Sequence, residues 1–145
     1  MKMKHTILAV LGAVALLWSA CGSDKQKETA QIQELKDSII AVHDEVMPKM
    51  GALNQMAKQL QLRNDSLQVD TLANKEQMAN NALLIEELKN ASAAMMQWMR
   101  AYKHGAFDTL AFEAAKAYAD EQLKAVNDVA NAMNQAEGKA KEALN

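Results

Sequence analysis

The stretch from Ile32 to Leu67, IQELKDSIIAVHDEVMPKMGALNQMAKQLQLRNDSL, decides the fold of this chain. Its apolar residues recur every three or four positions, which places them on one face of an α-helix. The members of this row are Ile32, Leu35, Ile39, Val42, Val46, Met50, Leu53, Ala57, Leu60 and, after polar Asn64, Leu67. The spacing therefore predicts one long helix over residues 32–67 with a single apolar stripe.

Pro48 interrupts this helix near its middle. The proline cannot donate a hydrogen bond to the carbonyl of Asp44, and its ring crowds that turn. Gly51 loosens the backbone further, and two consecutive steps of four residues make a stutter in the heptad here. We expect a kink near Pro48, or two helices that meet near residues 46–48.

A second helix is predicted over residues 74–104. Asn74 is a suitable N-cap, Gln77 follows it at the spacing of a capping box, and Gly105 is a suitable C-terminal cap. The apolar stripe of this helix consists of Met78, Ile85, Leu88, Ala91, Met95, Trp98 and Tyr102.

A third helix is predicted over residues 109–143. Asp108 would be its N-cap, and Phe107 would pack on Phe112 as a hydrophobic staple. The buried face would carry Leu110, Ala114, Ala117, Leu123, Val126, Ala130, Met133 and Ala140.

Short connections between the three helices favour an all-α, antiparallel up-down-up three-helix bundle or coiled coil over residues 32–145. Each helix is marginal alone and needs a partner for its stripe. A thin rod of this kind has much surface for its core, so it could form a homo-oligomer or dock on another component. The sequence does not decide between these.

Cys21, the only cysteine, lies where a bacterial lipoprotein signal would place it. Lys2 and Lys4 precede an apolar run over residues 7–18, which at twelve residues is shorter than the roughly 20 that a membrane span requires. The stretch over residues 17–21, LWSAC, resembles a lipobox, although Trp18 stands where an aliphatic residue is usual. We expect residues 1–20 to be a signal peptide, Cys21 to carry acyl chains such as palmitate, and residues 21–31 to be a flexible tether. Plain secretion, or an uncleaved anchor, would be the alternatives.

Cleavage after residue 20 would leave 14 basic against 18 acidic residues. A mildly acidic chain without a basic cluster is a poor candidate for binding nucleic acid. One cysteine allows no disulfide framework within the chain. Asp44 and Glu45 are adjacent on a helix and point about 100° apart, so they do not form an acid–base pair. Motifs of nucleophilic, phosphate-binding or zinc enzymes are missing from the sequence, so we expect no enzyme activity.

Methionines surround one histidine and one tryptophan in the expected pairing of the first two helices. If the first hairpin turns near residue 69, a single layer would hold His43, Met47, Met95, Met96, Met99 and Trp98. Methionine fills irregular gaps and packs well on an indole, so a plain core layer is one interpretation. The other is a Cu(I) site, because thioether and imidazole ligands select that ion.

The segments His43–Met50 (HDEVMPKM) and Met95–Met99 (MMQWM) resemble a family of short helical lipoproteins from Bacteroidota-type bacteria. Some members of that family carry the label "viral A-type inclusion protein". The resemblance covers most of the chain after residue 20, and it implies a helical fold and a location in the cell envelope. It supplies no activity, cofactor or catalytic residue.

These observations together predict a lipid-anchored envelope protein, on the outer membrane and facing the periplasm, which acts as a structural or protein-interaction module. Its partners would be the membrane, through the anchor, and a protein or other envelope component bound along a helical face. A periplasmic Cu(I)-binding or metal-buffering lipoprotein is the alternative.

Overall fold

The computed structural model describes the backbone of residues 3–145 and the side chains of residues 24–145. The predicted leader over residues 1–20 and the acylated Cys21 therefore lie outside the residues whose side chains are described. No helix within the described residues combines the length and the hydropathy that a membrane crossing requires.

Four α-helices make up this part of the chain, and residues 3–145 contain no strand. Short 3-10 turns at Gln68–Asp70 and His104–Asp108 follow the second and third helices. The first two helices are consecutive halves of one arm, so the bundle has three arms in all. The helices are α1 (Met3–Val46), α2 (Lys49–Leu67), α3 (Lys75–Ala101) and α4 (Phe112–Leu144). The predicted all-α helical bundle is confirmed.

Contacts between the arms fix their directions. Lys49 of α2 lies 3.5 Å from a carboxylate oxygen of Glu137, and Arg63, further along α2, donates to the carbonyl of Ala143, further along α4. The first arm and α4 therefore run parallel. Asn64 of α2 is bonded to Asn81 near the start of α3, so α3 runs in the opposite direction. This is the expected up-down-up order.

The predicted break at Pro48 is present, as two helices rather than a bend in one. α1 ends at Val46 and α2 begins at Lys49. The turn between them keeps helical bonding, because the amide of Met47 donates to the carbonyl of His43 at 2.8 Å. Gly51 lies inside α2 and has a negative φ. The break therefore occurs before Gly51 and does not require the conformational freedom expected of it.

The deepest core residues follow strict seven-residue steps on every arm. Ile39, Val46, Leu53 and Leu60 on the first arm are at most 1% exposed, and they continue across the break without a change of phase. The other two arms have the equivalent rows Asn81, Leu88 and Met95 on α3, and Ala119, Val126, Met133 and Ala140 on α4. The stutter at the proline thus affects only the adjacent apolar row, which contains Val42 and Met50. The seven-residue rows form one continuous core.

Residues 24–31 differ from the expected flexible tether, because they belong to α1. Lys, Gln, Glu and Ala in this segment are good helix formers. Thr29 bonds to the carbonyl of Lys25 within the helix, and Glu28 is half-buried beside the residues that precede α4. Glu28 and Ile32 line a groove together with Phe107 and Phe112, so this part of α1 lies beside the start of α4.

The ends of α3 differ from the predicted caps. Asn74 is at the N-cap position, but its side chain donates to the carbonyl of Leu67 instead of capping α3. α3 ends at Ala101 with extended Tyr102 as its C-cap, so Gly105 caps nothing and has no positive φ. The amide of Tyr102 still bonds to Trp98.

The start of the last helix is also later than predicted. α4 begins at Phe112 after Ala111, while Asp108 lies in the preceding 3-10 turn. Phe107 packs on Tyr118 with ring centroids 5.3 Å apart, which replaces the expected staple between Phe107 and Phe112. The buried face is consequently displaced at this end. Ala115 and Ala119 are buried, and the predicted Leu110, Ala114 and Ala117 are exposed.

A pair of asparagines interrupts the apolar core near the turn that joins α2 to α3. Asn81 donates to the side-chain oxygen of Asn64 at 2.8 Å, and Asn64 donates to the carbonyl of Met78 at 3.0 Å. Both asparagines are at least nine-tenths buried. A buried asparagine pair of this kind fixes the register between helices at a cost in stability.

The substitution Asn81→Ala should lower the free energy of unfolding by about 1–3 kcal/mol, because Asn64 loses a buried partner. Replacing both residues with leucine should leave stability equal or higher, since neither polar group remains. Urea unfolding followed by circular dichroism measures both effects. A double variant less stable than Asn81→Ala would contradict the idea that the pair serves register more than stability.

Candidate functional site

His43 and Trp98 meet near the break between α1 and α2. Their ring centroids are 5.7 Å apart and the ring planes are tilted by 34°. Antiparallel pairing of the first arm with α3 predicts this meeting. The His43 side chain is 19% exposed, whereas Trp98 is 7% exposed and belongs to the core.

The methionines of the predicted layer divide into three groups. Met95 is fully buried in the core, and Met47 and Met99 are partly buried against it. Met96 is 39% exposed and does not belong to this core cluster. Its position one residue after Met95 turns it about 100° away from the buried face. The structure thus brings His43 to Trp98, and it places Met47, Met95 and Met99, but not Met96, in the core cluster to which Trp98 belongs.

An aromatic cluster extends from Trp98 toward the start of α4. Trp98 stacks on Tyr102 at 5.1 Å, and Tyr102 stacks on Tyr118 at 6.5 Å. Phe107 of the 3-10 turn packs on Tyr118, and the Nζ atom of Lys36 lies 5.4 Å from the Phe107 ring. The sequence stripes contained Trp98 and Tyr102 as core residues, but the role of Phe107 depends on a turn that the capping signals did not predict.

Hydrogen bonding orients the histidine. Its Nδ1 atom lies 2.8 Å from a carboxylate oxygen of Asp44, whose side chain is 67% exposed. In the neutral ring, Nδ1–H then donates to the carboxylate, and the lone pair is on Nε2. A carboxylate on one ring nitrogen is the usual arrangement for a histidine that binds a metal through the other.

The tyrosines of the cluster have different partners. The hydroxyl of Tyr118 accepts a hydrogen bond from the backbone amide of Lys103 at 2.8 Å. Among the described residues, the buried Oη of Tyr102 and Nε1 of Trp98 have no partner. Burial, reinforced by Tyr118, raises the pKa of the Tyr102 hydroxyl, so this phenol stays protonated near neutrality.

A groove of about 360 Å³ lies between α1 and the residues around the start of α4, close to this cluster. Ile32, Phe107, Leu110 and Phe112 line its apolar part, and Lys36 is among its polar residues. Asp108, expected to cap a helix, also lies at this groove.

Among the residues that the structure describes, no three or more His, Cys, Asp or Glu side chains are placed to hold a metal ion. Asp44 bonds to the Nδ1 atom of His43, and its neighbour Glu45 is exposed. The His43–Trp98 layer, comprising His43, Trp98, Met47, Met95 and Met99, is therefore the main candidate site in the described part of the chain.

Comparison with known proteins finds no matching family model, no matching curated protein and no matching solved structure.

The two tyrosines provide a matched pair of substitutions. Tyr118→Phe should lower the free energy of unfolding by about 0.5–1.5 kcal/mol, because the Lys103 amide loses its acceptor. Tyr102→Phe removes a hydroxyl that has no described partner, so it should be neutral or stabilising. Urea unfolding of both variants tests this. Equal losses in the two variants would contradict the assigned hydrogen bonding.

Proposed function

We propose that this chain is a lipid-anchored protein of the bacterial cell envelope, whose helical bundle is a structural or protein-interaction module. The observation that carries the proposal is the sequence before Cys21. Two lysines, a short apolar run and the small residues Ser19 and Ala20 are the features that a lipoprotein signal needs. Two or three acyl chains on Cys21 would hold the protein stably on a membrane.

The shape of the described bundle supports a module that acts at a distance from its anchor. Residue 24, three positions after the proposed anchor, already belongs to α1, and the first arm continues to Leu67. The path from residue 24 to residue 67 is about 65 Å long at 1.5 Å per residue. The turn after Leu67 is thus the part of the bundle farthest along the arm from residue 24.

This distal turn exposes apolar side chains. Val69 is 95% exposed and Leu72 is 90% exposed, although Gln68, Asp70 and Thr71 beside them are polar. Two side chains cannot provide the roughly 800 Å² per partner that a stable dimer interface requires. We therefore propose that the turn makes a small, transient contact with an apolar pocket on a protein partner.

Mass spectrometry of the full-length protein, extracted from bacterial envelopes, tests the anchor. The expected N-terminal peptide begins at Cys21 and carries two or three acyl chains. The Cys21→Ser variant should keep its leader and lack acyl chains. An unmodified thiol on a secreted product, or an intact leader in the unsubstituted protein, would overturn the assignment to a lipoprotein.

Crosslinking in intact envelopes tests the distal turn. The unsubstituted protein should form one defined adduct with a second protein, and the double substitution Val69→Ser, Leu72→Ser should reduce that adduct at least tenfold. Leu62→Ser is a matched control, since Leu62 is also exposed but lies on α2 before the turn. An adduct that persists in the double variant, or one formed with a second copy of the chain, would refute a heterologous contact at the turn.

A further inference from the structure

The orientation of His43 is the starting point for a metal site that goes beyond the proposed function. The Nδ1 atom is engaged by the Asp44 carboxylate at 2.8 Å, and the described residues provide no hydrogen bond to Nε2. With 19% of the side chain exposed, an ion can reach the ring from solvent. A neutral imidazole held in this way by a carboxylate is a preorganised ligand.

Met47 lies one helical turn from His43. Its backbone amide donates to the carbonyl of His43 at 2.8 Å, so the i, i+4 relation survives although α1 ends at Val46. Residues at this spacing share a face of the helix. Met47 is partly buried against the core, which places it at the boundary between core and solvent, as His43 is.

Met99 lies on α3 two heptads after Ile85, which lines a groove with Ala57 of α2, so Met99 is on the side of α3 that faces the first arm. It follows Trp98, whose ring is 5.7 Å from the imidazole, and it is partly buried against the same core cluster. Met95 lies one turn earlier and is fully buried, so solvent does not reach its sulfur atom. Met96 is exposed and separate from that cluster, and it serves as a control.

We propose that His43, through Nε2, together with the sulfur atoms of Met47 and Met99, binds one Cu(I) ion beside Trp98. Imidazole and thioether groups are soft, uncharged ligands that select Cu(I) over harder cations. The Asp44 carboxylate fixes the imidazole and contributes a negative charge near the cation. Copper binding of this kind would add a metal-buffering activity to a protein held by its N-terminus.

The experiment uses the full-length chain in detergent with two background substitutions. Cys21→Ala removes the only thiol, which would itself bind Cu(I), and Trp18→Phe leaves Trp98 as the only tryptophan. Cu(I) is titrated under anaerobic, reducing conditions in competition with a chromogenic Cu(I) chelator, and Trp98 fluorescence is recorded. The expected result is one equivalent bound, with quenching of Trp98 that saturates at the same point.

Single substitutions test each ligand. His43→Ala, Met47→Leu and Met99→Leu should each weaken binding at least tenfold, and Asp44→Asn should weaken it about 10- to 100-fold while leaving an exposed position otherwise unchanged. Met96→Leu and His104→Ala are matched controls that should bind as the background protein does. Leucine preserves the volume of methionine, and circular dichroism verifies that each variant is folded.

Absence of stoichiometric binding in the folded background protein would overturn the copper site. Binding that survives in the double variant His43→Ala, Met47→Leu, or that is lost in Met96→Leu, would also overturn it. These outcomes do not depend on acylation, because Cys21 is replaced throughout. Failure of the copper site is therefore distinguishable from failure of the lipoprotein assignment.

Discussion

Continuity of the seven-residue core rows across Pro48 is the constraint on which the bundle depends. Val46 and Leu53 lie on either side of the proline, and both are almost completely buried. The ion pairs of Lys49 with Glu137 and of Lys139 with Glu87 align the three arms, so Val46, Met95 and Met133 lie at one level of the core. If the break changed the phase of α2, its stripe would turn away from α3 and α4. Backbone bonds from Met47 to His43 and from Met50 to Met47 continue through the break, and the core rows of both halves stay in phase.

Apolar periodicity predicts much of the fold. The predictions fail at helix ends, where capping residues compete with tertiary packing. The spacing of Ile39, Leu53 and Leu60 was sufficient to identify the buried face of the first arm, and Pro48 was sufficient to place its break. Asp108 is a good cap by propensity, but a helix starting there would compete with the turn that places Phe107 on Tyr118. The aromatic contact prevails, and α4 begins four residues after Asp108. Capping contributes about 1 kcal/mol and burial of an aromatic ring more, so this outcome agrees with their relative magnitudes.

The position of the candidate site could be predicted from the sequence, but the set of side chains that form it could be predicted only in part. Antiparallel pairing alone brings His43 to Trp98, because it depends only on arm lengths and the hairpin position. Helical periodicity also separates Met95 from its neighbour Met96, but proximity in sequence had placed both in one layer. The carboxylate of Asp44 on His43 depends on a side-chain rotamer, which periodicity does not determine. The stack from Trp98 through Tyr102 to Tyr118 similarly depends on how the helices are positioned along the bundle axis, which periodicity within one helix does not determine.

The helical conformation of residues 24–31 has a mechanical consequence. A disordered segment before residue 32 would let the bundle adopt any orientation relative to the proposed anchor at Cys21. Because these residues continue the helix that carries the core, the first arm instead rotates as one rigid body about its N-terminal end. Over about 65 Å of helix, a tilt of about 10° at the base displaces the distal turn by about 11 Å. Small motions near residue 24 are therefore amplified at Val69 and Leu72, and the direction of the base determines where those side chains can reach.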